Sequence, residues 1–92
     1  MTKSEVINEI SERTGVEKAI VLETVECFFK VVKGSLANNE NVYFRGFGSF
    51  VVQKRAEKVA RNISKNTQIT IPAHSIPKFR PAKTFVEKVK KG

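Results

Sequence analysis

Residues 18–38 impose the strongest constraint on what this chain can fold into. At helical spacing Val21, Leu22, Val25, Phe28, Phe29, Val32 and Leu36 form one apolar stripe. Ile20, Thr24, Cys27 and Val31 widen it, and only Glu23, Glu26, Lys30 and Lys33 remain as a narrow polar strip. The pattern predicts a helix about 31 Å long at roughly 1.5 Å per residue, apolar round about two-thirds of its circumference. A chain of 92 residues has little material with which to cover such a helix from two sides. A second subunit packed against it is therefore expected, the alternative being a core helix within a monomer. Cys27, the only cysteine, excludes an intrachain disulfide and a multi-thiol metal site, and is expected as a small residue on a buried helix face.

The remaining elements follow from local signals. Thr2 and Glu5 have the spacing of a capping box, and Val6, Ile7 and Ile10 continue at helical period, so a first helix is expected over residues 3–13. Gly15 supplies its stop, and Glu9 and Arg13 lie four apart as an exposed pair. After a polar break at residues 38–41, aromatic and β-branched residues on both sides of Gly46-Phe47-Gly48 predict a hairpin. Its second strand runs on past the end of its partner, since residues 53–60 are largely polar on both faces and cannot be core. Residues 62–66 are turn-rich, residues 67–71 return as a strand, and Pro72 and Pro77 place the return limb at a sheet edge. Residues 81–89 suggest a short closing helix with Phe85, Val86 and Val89 turned inward. The expected organisation is a single α+β domain over residues 1–92. It comprises a helical dimerisation part (1–40), a β-sheet saddle (41–52 and 77–80), a two-stranded arm (53–76) and a C-terminal helix (82–91).

Charge indicates what the arm is for. Residues 1–40 carry five Lys/Arg against seven acidic residues, net −2, whereas residues 41–92 carry twelve against two, net +10. The second half calls for a polyanionic partner. An arm with no broad apolar face has nothing to insert into a membrane, while a β-ribbon matches the width of a DNA groove. No apolar run approaches the roughly 18 residues of a membrane span, and the amino-terminal residues lack the pattern of a secretory signal, so the cytoplasm is the expected compartment. An enzyme is not expected: His74 is the only histidine, expected to face solvent near the arm base, and Glu57 and Glu87 have no evident acidic partner. No cofactor, metal or small-molecule substrate is called for.

Four blocks then resemble the HU/IHF family of histone-like bacterial DNA-binding proteins: Gly46-Phe47-Gly48-Ser49-Phe50, Arg61-Asn62, Ile71-Pro72-Ala73, and Pro77-Lys78-Phe79-Arg80 with Lys83. The resemblance spans essentially the whole chain. It implies an intertwined dimer with a helical base, sheet saddles and two arms that enter the minor groove of duplex DNA; the self-complementary apolar helix makes a homodimer the default over a heterodimer. By this resemblance Arg55, Lys58, Arg61 and Lys65 lie along the arm near phosphates, and Asn62 reaches minor-groove acceptors. Lys3, Arg80 and Lys83 contact flanking phosphates, and the backbone around Gly46 and Gly48 approaches others. Val25, Phe28, Phe29 and Val32 are the corresponding dimer contacts, with Phe47, Phe50 and Phe79 as an aromatic cluster at the dimer core. Ile63 stands where the family usually carries a proline wedge, and Asn66 where glycine is common. The implied function is weakly sequence-selective binding, bending and compaction of DNA in the nucleoid. Site-selective bending of the IHF kind, and RNA binding of a ribosomal type, are the alternatives.

Overall fold

A computed structural model describes residues 1–62 and 67–92. The elements are α1 (Lys3–Thr14), α2 (Lys18–Ala37), β1 (Val42–Phe44), β2 (Gly48–Arg55), β3 (Lys58–Asn62), β4 (Thr67–Ile71), β5 (His74–Pro81) and α3 (Lys83–Lys91). They fall into two compact units, Met1–Gly34 and Ser35–Gly92.

In the first unit the α1 cap forms as its sequence requires, the Thr2 hydroxyl oxygen accepting the Glu5 N–H at 3.3 Å. Gly15 ends the helix with φ 74° and donates its N–H to the Ser11 carbonyl at 2.9 Å. The three-residue link to α2 is knitted by side chains: Ser11 Oγ donates to the Val16 carbonyl (2.6 Å), and Thr14 Oγ1 accepts the Val16 N–H (3.2 Å). Ile7, Val21 and Val32 are buried. Much of the apolar circumference of α2 is nonetheless uncovered, with Ile20 52%, Leu22 42% and Val31 64% exposed. Cys27 is exposed as well, contrary to its expected place on a buried face, because it shares the side of the helix that carries Val31.

In the second unit β1, β2 and β5 form an antiparallel sheet in that order, and β3 pairs with β4 in a separate ribbon. Pro77 lies in β5, an edge strand, where its missing N–H costs no ladder bond. Phe50 stands opposite Phe79, with ring centroids 5.0 Å apart, and Phe44 approaches Phe50 edge-on at 6.1 Å. Phe47, in the turn between β1 and β2, stacks on Phe85 of α3 at 5.4 Å. α3 starts at Ala82, which has no side-chain cap but donates its N–H to the Phe47 carbonyl at 2.9 Å. Phe85 and Val86 are half-buried; Val89, expected inward, is 66% exposed. It borders an open concavity beside Phe79 and Phe85 rather than filling the core.

The long strands are interrupted at Ala56-Glu57 and at Pro72-Ala73, directly opposite each other. Pro72 has no N–H to give to a ladder, which accounts for the gap. The register survives it: Arg55 pairs with His74 before the gap, and Lys58 pairs with Ile71 after it, two residues being skipped on each side.

Gly48 is the tightest point of the sheet. At φ 157°, a Cβ placed there would lie 2.6 Å from the Arg80 carbonyl oxygen and 2.7 Å from the Phe79 ring. Gly48→Ala is expected to destabilise the fold by about 2–3 kcal/mol through overpacking and backbone strain, measured as a lower urea midpoint with unchanged cooperativity.

Candidate nucleic-acid interface

Side chains alternate along a strand, and residues paired across antiparallel strands share a face. The register therefore sorts the sheet into two chemistries. One face carries Phe44, Phe50 and Phe79. The other carries the rows Tyr43–Ser49–Arg80, Val51–Lys78, Gln53–Ile76 and Arg55–His74. Arg55 and Arg80, both expected as phosphate contacts, lie on this second face, and both are exposed. Lys78 joins them. It was missed from the sequence because its alternation with Phe79 acquires a direction only once the aromatic face is known. Val51, on the same face, is buried at 8% exposure, so the floor between the cations is apolar.

The ribbon sets out the remaining cations. Lys58 and Arg61 are three apart on β3 and so point to opposite faces, both exposed. The unbroken register gives Arg61 the same parity as Arg55. Every residue of β4 is exposed, including Ile69 (48%) and Ile71 (39%), which share a face and make only a narrow apolar strip. The backbone of Asn62 pairs with Thr67 at the end of the ribbon. Ile63 and Lys65 lie outside the described residues. His74 is exposed at the base of the ribbon with its Nδ1 3.0 Å from the Pro72 carbonyl oxygen.

The two turn glycines differ. Gly46 (φ 80°) is exposed, with open space where a Cβ would stand, as an approach of backbone to a ligand requires. Gly48 is buried, and its missing Cβ leaves room for the Phe79 ring and the Arg80 carbonyl, so packing together with its φ of 157° favours glycine there. Lys83 begins α3, the positive end of a helix, where a cation gains nothing from the backbone dipole. Lys3 is held by an ion pair with Glu26 across α1 and α2. The hydrogen bond from Lys3, and then its charge, hold the Glu26 carboxyl below the usual carboxylate range. Lys3 must exchange that partner to meet a phosphate.

Of the expected dimer contacts, Val32 is already buried in the single chain and Val25 half-buried, while Phe28 (41%) and Phe29 (40%) are exposed, their rings edge-on at 6.0 Å. Phe47, Phe50 and Phe79 meet within one chain, Phe47 to Phe79 at 5.2 Å, and Phe44 and Phe85 complete a cluster of five rings. Phe47 remains 48% exposed in it. Among the described residues no group of three or more His, Cys, Asp or Glu side chains is placed to hold a metal ion, and no helix is long and apolar enough to cross a membrane.

A cationic sheet face continued by an exposed two-stranded ribbon defines an α+β nucleic-acid-binding protein. A family model described as bacterial DNA-binding protein matches residues 1–90. The chain is 38% identical over 90 residues to DNA-binding protein HU of Thermotoga maritima, covering 98% of this chain and 100% of that one. It is 36% identical over 89 residues to DNA-binding protein HRL53 of Rhizobium leguminosarum, covering 97% and 98%. Its fold superimposes on that of Anabaena HU, from a cocrystal with DNA, with a TM-score of 0.92 at 28% identity over the whole of both chains. The chain belongs to the HU/IHF family of bacterial DNA-binding proteins, whose members are architectural proteins of the minor groove.

The Glu26 pair can be tested without DNA. Because the folded carboxyl is depressed, the pair contributes to stability above the unfolded carboxylate's range and loses that contribution as pH falls through the folded value. In a carboxyl titration followed by NMR, Glu26 is expected to titrate below an ordinary glutamate, and Lys3→Ala to raise it toward the ordinary range, with Lys30 and Lys33 still holding it down.

Proposed function

We propose that two copies of this chain form a homodimer that binds duplex DNA through the minor groove with little sequence preference, and that bends and compacts it in the nucleoid. The observation that carries the reading is the sorting of Arg55, Lys78 and Arg80 onto the sheet face opposite the phenylalanines, with Arg61 exposed in the same pairing register on a ribbon whose β4 is exposed throughout. Phosphate contacts of this kind position a protein on the duplex without reading sequence. The DNA-bound state of the Anabaena relative supports it.

Exposed apolar surface supports the dimer. The first unit leaves apolar surface exposed at Leu22, Phe28, Phe29 and Val31, and the second at Phe47. A second copy would cover such residues with the same residues of its own, as a two-fold interface demands.

Three measurements test this. Log affinity for a mixed-sequence duplex is expected to fall with log salt at about −0.9 per phosphate neutralised, and Arg61→Ala to lower the slope by about that amount. Preferential binding of structured RNA, or a single preferred sequence surviving high salt, would contradict the reading. Phe47→Ala should cost about 3–5 kcal/mol, the figure for a buried ring, where a ring left half-exposed would cost less. Dimer and fold are then lost together, followed by light scattering and circular dichroism. Ile63, apolar at the wedge position, offsets a few kcal/mol of unstacking on entering a base step. Ile63→Ala is expected to reduce the bend, read by energy transfer between duplex ends at saturating protein, while sparing much of the binding. An unchanged bend would leave the arms as electrostatic clamps.

A further inference from the structure

Tyr43 is the most exposed aromatic residue described, at 71%, and it stands on the cationic sheet face in one row with Ser49 and Arg80. A lone exposed aromatic needs no explanation; its hydrogen bonding does. Asn41 accepts the Val52 N–H through Oδ1 at 3.0 Å, extending the β1–β2 ladder by one step. An acceptor facing a backbone N–H settles which end of that amide is oxygen. The other end, Nδ2, is therefore the donor, and it lies 3.2 Å from the Tyr43 hydroxyl. The phenol oxygen thus accepts from Asn41, and its own proton is left to be donated outward. The neighbours on that face are Arg80 in the same row, with Lys78 and Arg55 beyond, a positive field that favours an anionic acceptor.

We propose that the Tyr43 hydroxyl, oriented by Asn41, donates a hydrogen bond to a backbone phosphate of duplex DNA, so that the row Tyr43–Ser49–Arg80 is a phosphate subsite with one neutral and one cationic arm. Across three strands about 4.8 Å apart, the backbones of Tyr43 and Arg80 stand about 10 Å from each other. They meet neighbouring phosphates rather than one. The subsite rests on the duplex-binding reading above, but its signature is distinct, since a neutral donor releases no counterion.

Tyr43→Phe keeps the ring and removes only the donor. In fluorescence anisotropy with a mixed-sequence duplex across a salt series, it is expected to weaken binding by about 10- to 150-fold, the loss of one hydrogen bond to a charged group. The salt slope and the thermal midpoint should not change. Arg80→Ala, by contrast, should weaken binding and lower the slope by about 0.9. Wild-type protein that fails to bind the duplex would overturn the functional reading and this inference with it. Wild-type binding with Tyr43→Phe within twofold of it would overturn this inference alone. So would a loss of affinity accompanied by a changed slope or a lowered midpoint, because Tyr43 would then act by holding the sheet.

Discussion

The pairing of β2 with β5 is the constraint on which the rest of the second unit depends. Phe50 faces Phe79, and the strands close at Gly48 so tightly that a single Cβ would collide with the Phe79 ring and the Arg80 carbonyl. A slip of β5 by one residue would send Lys78 and Arg80 towards the aromatic cluster and Phe79 into water. Desolvating two unpaired cations costs far more than the few kcal/mol by which a domain of this size is stable. The same contact that makes the core therefore aims the cations.

The arm inherits that aim without contributing to the core. Its strands resume beyond Pro72 in the pairing register set by the sheet, so the partners assigned in the core are kept by residues well beyond the last buried one. A two-stranded ribbon is marginally stable by itself. Attached to a sheet whose register is held by packing, it carries exposed cations at defined positions, and its charged, proline-interrupted strands resist edge-to-edge pairing.

Packing in the first unit leaves a different problem. That unit's buried hydrophobic residues are Ile7, Val21 and Val32, and among the described residues no large side chain is fully buried. Folding must offset more than 1 kcal/mol of backbone entropy per ordered residue, which such a core does poorly. The homodimer proposed above would resolve both this deficit and the exposed side of α2, and would tie stability to protein concentration.

Much of this was legible in the residues themselves. The Thr2 cap, the Gly15 stop, the length of α2 and the hairpin at Gly46-Phe47-Gly48 are local, set by hydrogen bonds and φ preferences within a few positions, and each is found where its signal lies. The four family blocks named the chemistry. The sequence alone also sufficed to place net positive charge in the second half and an apolar excess on one helix. Which cations share a face, why position 48 must be glycine, and that Lys78 and Tyr43 stand with Arg80 were decided only by tertiary structure. Those properties depend on the pairing of strands about thirty residues apart, and strand pairing is determined by which side chains pack together, a fact no local pattern contains.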